Sequence, residues 1–313
     1  MKIELAPIDY YFYRPNLYTI QFAFEYDNKI SAQRLSDALK SLISKMPVVG
    51  SRLVRASDFQ LILETGHDIP LREQTLEVSN ETENIFDSVS NTEGEPLIKI
   101  LVSHKKEGSF VGFSFSHMLG DGAAFFLFLE NLVRILAHQP ITSVSTNRSK
   151  LSAFTKGDSK VRLFESTGYI QPRPKNPAQV DVEHIQYTHT QLNALKDELK
   201  GAGCIASTND IIMADLVRRF HKDIPKFENQ FIVRCPVDYR KAIGLGPNYF
   251  GNAVRDAVSF FSAEELEEMD FTSVVSRIRQ SIIAVDERSV GQSLMALDQL
   301  RRSEVAPIPW TIV

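Results

Sequence analysis

The sequence predicts an α/β protein built as two layers in two domains, with mixed sheets and helices. Three observations predict it. Strand-like and helix-like stretches alternate in both halves of the chain. The 313 residues are enough for about two domains. A stretch rich in Ser, Thr, Lys and Pro runs from about residue 138 to 179 and ends in QPRPKNP, the composition of a crossover. The expected division is therefore a first domain over residues 1–137, a crossover over 138–180 and a second domain over 181–313.

Residues 17–26 (LYTIQFAFEY) are rich in β-branched and aromatic side chains. Ile20, Phe22 and Phe24 alternate with Gln21 and Ala23, so a strand is expected. Asn28 and Lys29 mark a turn. Ser31 opens a helix with Leu35, Ala38, Leu39 and Leu42 at helical spacing, and Pro47 ends it. Residues 48–54 (VVGSRLV) predict a second strand. The acids, Pro and Gly of 66–96 predict loops and one short helix. Residues 97–102 predict a strand. So does Ser109–Ser116, with Phe113 and Phe115 on one face and Ser114 and Ser116 on the other. That strand runs into HMLGDG at 117–122. The helix that follows, to about Ala137, is apolar nearly all round and is expected to be buried.

Beyond the crossover, residues 184–187 predict a strand. A helix after Thr190 carries Leu192, Leu195 and Leu199 on one face, with Gly201 as its stop. Ser207, Thr208, Asn209 and Asp210 cap a further helix. Residues 231–237 predict a strand that ends at Asp238, Tyr239 and Arg240. Ser262 and Glu265 form a capping box, and a longer helix is expected over 272–285. There is no internal repeat.

Hydrophobic residues at 43% and charged residues at 24% exclude a disordered or collagen-like chain. A net charge of −4 lacks the basic footprint of a nucleic-acid binder. No apolar run approaches the ~20 residues of a membrane span, and the first seven residues lack a signal peptide's apolar core. Cys204 and Cys235 are too few for a disulfide framework or a structural zinc site and are expected to be inert buried thiols. The composition thus predicts a reduced, soluble, cytoplasmic protein without a metal.

His117 is the candidate for the chemistry, although a lone histidine is more often structural. It stands where a strand ends and a glycine-punctuated turn begins, a place from which an imidazole reaches a cleft, and neutral imidazole accepts a proton near pH 7. The bland alternative is a satisfied structural histidine. Asp121, four residues on, has three readings: it orients the ring as in a triad, pairs with an arginine elsewhere, or simply makes the D-G turn with Gly122. No G-x-S-x-G elbow, Walker motif or complete dinucleotide fingerprint occurs. The other histidines show no metal-ligand spacing with acids.

Taken together, these residues resemble a known family. HMLGDG at 117–122 is an H-x-x-x-D-G pattern similar to the active-site motif of the BAHD acyltransferases and the wider chloramphenicol-acetyltransferase-like superfamily. LAPID at 5–9 resembles the family's opening L-S-P-x-D, and PVVGSRL at 47–53 its P-x-x-A-G-R-L. STND at 207–210 resembles S-T-x-D, VDYR at 237–240 resembles V-D-x-R, and NYFGNA at 248–253 resembles N-Y-F-G-N. All six stand in order between residues 5 and about 255.

The resemblance implies a two-domain chloramphenicol-acetyltransferase-like sandwich and acyl transfer from acyl-CoA, a cosubstrate rather than a bound cofactor, to a small-molecule alcohol or amine. It implies His117 as general base, no acyl-enzyme, and a monomer. Asp121 becomes structural, paired with Arg240, and Gly122 completes the turn. Ser207, Thr208 and Asn252 map near the coenzyme A arm. The residue reading of Ser207 and Thr208 leaves a helix cap equally open; Asn252 also suits a pocket mouth. Ser116 stands where condensation domains have a second histidine, which favours free thioesters over carrier-bound ones. The family's D-F-G-W-G motif is absent, and PWT at 309–311 resembles the stretch that precedes it. The second domain is therefore expected to be incomplete. The competing expectations are an inactive acyltransferase-fold binder and a condensation-type enzyme.

Overall fold

A computed structural model describes residues 1–13, 19–57, 60–76, 85–155, 163–165, 183–222, 230–303 and 310–312. The chain divides into two compact units that interleave in sequence. One comprises Met1–Val161, Ile243–Ala253 and Gly291–Ile308; the other comprises Arg162–Ala242, Val254–Val290 and Pro309–Val313.

The first unit contains β1 (Lys2–Glu4), α1 (Pro7–Tyr11), β2 (Thr19–Tyr26), α2 (Ala32–Lys45), β3 (Arg52–Ser57), β4 (Gln60–Glu64), β5 (Leu71–Thr75), β6 (Ile98–His104), β7 (Ser109–Ser116), α3 (Gly122–Leu136) and the short α4 (Ser149–Ser152). Its larger sheet has the order β2-β7-β6-β5. β7 pairs antiparallel with β2 and β6, and β5 pairs parallel with β6. The smaller sheet has the order β1-β4-β3. Ser31 caps α2 by accepting the Arg34 N–H, and Leu35, Ala38, Leu39, Leu42 and Ile43 form its buried stripe. Phe125 and Phe128 of α3 pack on Phe113 and Phe115 of β7, with ring centroids 5.5–6.5 Å apart. This aromatic cluster fixes the end of β7 against the start of α3, where the HMLGDG turn lies.

The second unit contains β8 (Leu163–Glu165), α5 (His189–Gly201), α6 (Thr208–Phe220), β9 (Gln230–Asp238), β10 (Val254–Ser262), α7 (Ala263–Glu268) and α8 (Phe271–Ile283). α9 (Glu287–Ser303) follows, and from Gly291 on its residues belong to the first unit. β11 (Trp310–Ile312) pairs with β8, and β9 pairs antiparallel with β10. One apolar core unites Leu199, Ile211, Ala214, Val217, Phe231, Val233, Phe261, Val274 and Ile278.

Several expectations need correction. Residues 48–54 do not begin as a strand: Pro47–Gly50 forms a 3-10 turn, and the strand starts at Arg52. Pro47 presets that turn, and a side chain at Gly50 would collide with the His67 carbonyl. The described part of 66–96 holds strand β5 and no helix. Residues 184–187 are not a strand. α3 is not buried all round, since Phe126 and Val133 are 52% and 62% exposed; its buried residues are Ala124, Phe125, Phe128, Asn131 and Leu132. About half of the 138–180 crossover lies outside the described residues. Cys204 and Cys235 are free and buried. Among the described residues no helix is long and apolar enough to cross a membrane, and no group of three His, Cys, Asp or Glu side chains is placed to hold a metal.

Candidate active site

His117 follows the last residue of β7. The turn it opens is held locally. Ser116 Oγ donates to Asn91 Oδ1 and accepts the Met118 N–H at 3.1 Å, and the Leu119 N–H reaches the Ser116 carbonyl at 3.0 Å. Asp121 caps α3, accepting the Ala124 N–H at 3.1 Å through Oδ1. Gly120 has no room for a side chain: a Cβ there would lie 2.5 Å from Ala124 Cβ and 3.4 Å from Gly251 Cα. Gly122, the first residue of α3, has open space around it.

A distant segment returns to this turn. The Ser145 N–H meets the Asn248 carbonyl at 2.9 Å, and the Phe250 N–H meets the Ser145 carbonyl at 2.8 Å. Asp121 Oδ2 accepts the Ala253 N–H at 2.9 Å. Tyr249, Phe250, Asn252 and Ala253 are buried. The result places Asn252 Oδ1 3.0 Å from His117 Nδ1. The same amide donates through Nδ2 to the His117 carbonyl and to Asp9 Oδ1, both at 2.8 Å. Two acceptors therefore hold its NH2 end, so its oxygen must face the ring. That network assigns the Nδ1–H tautomer to His117 and leaves the acceptor lone pair on Nε2.

Phe12, just past α1, stacks on the imidazole with centroids 3.7 Å apart and planes 12° from parallel. Burial pushes the His117 pKa below its ordinary value; the Asn252 hydrogen bond and the charges of Asp121 and Asp9 oppose that shift. The ring is thus a neutral imidazole at pH 7. Asp9 is fully buried and binds three donors: the Ala6 N–H, Arg148 Nε and Asn252 Nδ2, each at 2.8 Å. Arg148, also buried, donates through Nη2 to the Leu119 carbonyl at 3.2 Å.

The first unit therefore brings together His117, Asp121, Gly122 and Asn252. Asn252 contacts the imidazole itself. The other expected site residues belong to the second unit. Ser207 caps α6, its Oγ accepting the Asp210 N–H at 3.3 Å while Asp210 Oδ2 accepts the Ser207 N–H at 2.7 Å. Thr208 is the first residue of that helix. Arg240 is buried, with Nη1 3.1 Å from Asp238 Oδ2. Sequence reasoning gave no role to Asp9, Phe12 or Arg148. Asp9 was visible as the last residue of LAPID. Arg148 stands in the polar stretch read as a crossover and carried no signal.

The family model described as Transferase family matches residues 74–306, about three quarters of the chain. Rosmarinate synthase from Plectranthus scutellarioides is 24% identical over 209 residues, which are 63% of this chain and 48% of that protein. The chain thus spans about half the length of the curated relative it matches. Among solved structures, F. sporotrichioides TRI101 complexed with coenzyme A and T-2 superposes with a TM-score of 0.69 at 16% identity, over 97% of this chain and 80% of that one. F. graminearum TRI101 complexed with coenzyme A and T-2 mycotoxin superposes at 0.70 with 14% identity, over 99% and 80%. These likenesses show a common α/β fold with mixed sheets. With the matched family model covering the HMLGDG turn, Asn252 and most of the rest, the chain belongs to the Transferase family, the BAHD acyltransferases that its ordered motifs resemble.

Proposed function

We propose that this protein transfers an acyl group from a coenzyme A thioester to a hydroxyl or amine of a small molecule, with His117 as general base. The observation that carries this reading is the hydrogen bond from His117 Nδ1–H to Asn252 Oδ1, which leaves Nε2 unprotonated. Support also comes from the relatives: one is a rosmarinate synthase, and the TRI101 structures are complexes with coenzyme A and T-2.

In the proposed reaction Nε2 takes the proton of the acceptor O–H or N–H. The freed oxygen or nitrogen attacks the thioester carbonyl carbon, and a tetrahedral oxyanion forms. The C–S bond then breaks, and the coenzyme A thiolate takes the proton back from Nε2. The products are an ester or amide and free coenzyme A. Holding both substrates together supplies the proximity, so no acyl-enzyme is required. Asp121 serves the backbone, capping α3 and anchoring Ala253, while its charge helps to hold the imidazolium. The family pairing of Asp121 with Arg240 is part of the proposal, as are hydroxyl contacts from Ser207 and Thr208 to the coenzyme A arm. A cytoplasmic monomer that acts on small molecules, not on nucleic acid or membrane, completes the reading. Residues 1–137 and 181–313 are proposed as its two halves.

The test is free-thiol release from a panel of acyl-CoAs with and without pooled alcohols and amines, for wild type and His117→Ala. Acceptor-dependent release that disappears in the variant supports the reading. Release that persists in a folded His117→Ala protein overturns His117 as base. No release by a folded wild type that binds coenzyme A overturns the transferase reading for this chain.

A further inference from the structure

We propose that Asp9, held in place by Arg148, is a positioning residue for His117: it fixes which end of the Asn252 amide faces the imidazole, and so which ring nitrogen is left to accept a proton. The inference rests on His117 as the base, but its test reads the ring itself.

Ionised Asp9 is an acceptor only. It has no exposed surface, and its two oxygens are satisfied by the Ala6 N–H, Arg148 Nε–H and Asn252 Nδ2–H. The ion pair with Arg148 is equally buried, with side chains 0% and 3% exposed, so Arg148 supplies the counter-charge for Asp9 there. An acceptor-only group facing Asn252 compels the amide to present its NH2. The amide oxygen is then the only atom left for His117 Nδ1, and it accepts a proton from that nitrogen at 3.0 Å. The chain of polarity runs carboxylate, amide, imidazole, and it ends with the lone pair on Nε2. When Nε2 takes a proton, the positive ring faces an amide oxygen whose dipole is aligned by Asp9, which favours the charged form.

Arg148 adds a mechanical link. Its Nη2 reaches the Leu119 carbonyl at 3.2 Å, inside the turn that carries His117. One guanidinium thus ties the carboxylate that sets the tautomer to the backbone that sets the ring's position. α1 completes the arrangement from the other side. Asp9 lies within it, and Phe12, one residue past its end, stacks on the same imidazole.

Asp9→Asn is the discriminating change. Its side chain keeps its size but must give its one oxygen to the Arg148 and Ala6 donors, so an NH2 now faces Asn252. Only the His117 carbonyl then holds the original amide orientation, and a turned amide would donate to Nδ1 and leave the proton on Nε2. Wrong-tautomer variants of catalytic histidines lose on the order of 10⁴ in kcat; a partial switch here is expected to lose about 10²-fold or more, with the KM for the thioester little changed.

The experiment is long-range ¹H–¹⁵N correlation of the histidine rings in the full, ligand-free chain, with His117 assigned through His117→Ala. The wild type is expected to show the Nδ1–H tautomer. Asp9→Asn, still folded, is expected to show a substantial Nε2–H population. An Nε2–H wild type overturns the proposal before any variant is made. A folded Asp9→Asn with the wild-type tautomer overturns it as well. Where Asp9→Asn fails to fold, Asn252→Ala takes its place: loss of the Nδ1–H preference supports the relay, and a retained preference overturns it. Persistent thiol release by His117→Ala would instead defeat the general-base reading and leave the tautomer result standing by itself.

Discussion

Asn252 Oδ1 sits 3.0 Å from His117 Nδ1, joining two residues 135 positions apart in the sequence. The contact has a direction, because Asn252 spends its NH2 on the His117 carbonyl and Asp9. The imidazole is therefore held by its Nδ1–H.

Removing that contact should affect turnover more than binding. Asn252→Ala leaves the imidazole without its Nδ1 partner and leaves Asp9 Oδ1 short of a donor. Groups that orient a working histidine typically change activity by about 10–100-fold. Steady-state kinetics with an acyl-CoA and acceptor pair active in the wild type should show kcat lowered by that factor, with the thioester KM within about twofold. A raised KM with normal kcat would instead return Asn252 to a ligand contact.

The pH dependence follows from burial. The His117 pKa lies below 6.5, chiefly through desolvation. Activity as kcat/KM should therefore be level at neutral pH, with its acid limb centred below 6.5. Stability carries the same sign. Between the folded pKa and 6.5 the unfolded chain binds more protons than the folded one, so stability rises with pH across that window and gains nothing further from His117 above it. Urea melts from pH 5 to 8 on wild type and His117→Gln test this. The stability of wild type relative to His117→Gln should fall as pH drops below 6.5; a relative stability independent of pH would contradict it.

Gly120 is the tightest point of the turn. A Cβ there meets Ala124 Cβ at 2.5 Å with Gly251 Cα at 3.4 Å. Overpacking of this kind costs about 1–3 kcal/mol, and the backbone shift that relieves it displaces His117, three residues away. Gly120→Ala should lower both melting temperature and kcat. Ala124→Gly removes the closest clash, so the double variant should be less destabilised than the two single effects added together. Simple additivity would show that Ala124 is not the obstacle.

The contrast between legible and illegible parts has a physical basis. The β7 strand, α2 and the caps at Ser31, Ser207 and Ser262 were readable because periodicity and capping are local. Residues 48–54 misled because an apolar VV pair suits a strand and a buried turn equally, and only packing against His67 decides. α3 misled because composition alone does not say which apolar residues are covered; Phe125 is fully buried, whereas Phe126, which packs on Phe22, is half exposed. His117 and Asp121 stood out by motif. Arg148 did not, because its meaning arises only when the fold sets it 2.8 Å from Asp9. The contact of Asn252 with His117 was not legible, because sequence spacing does not reveal a contact across 135 residues.

Ser207 offers a test that separates two roles of one hydroxyl. Its Oγ accepts the Asp210 N–H as the cap of α6, and its own O–H remains a donor, the capacity assigned to the coenzyme A arm in the proposed reaction. Loss of the cap costs about 1 kcal/mol, so Ser207→Ala should lower stability by that amount whatever the ligand does. The binding role adds a second effect that stability does not measure: the KM for the acyl-CoA should rise several-fold, while the KM for the acceptor stays near the wild-type value. Ser207→Thr keeps both the acceptor oxygen and the O–H, so it should restore stability and KM together. A variant that loses stability alone would make Ser207 a cap and nothing more, and would move the search for coenzyme A contacts to other side chains.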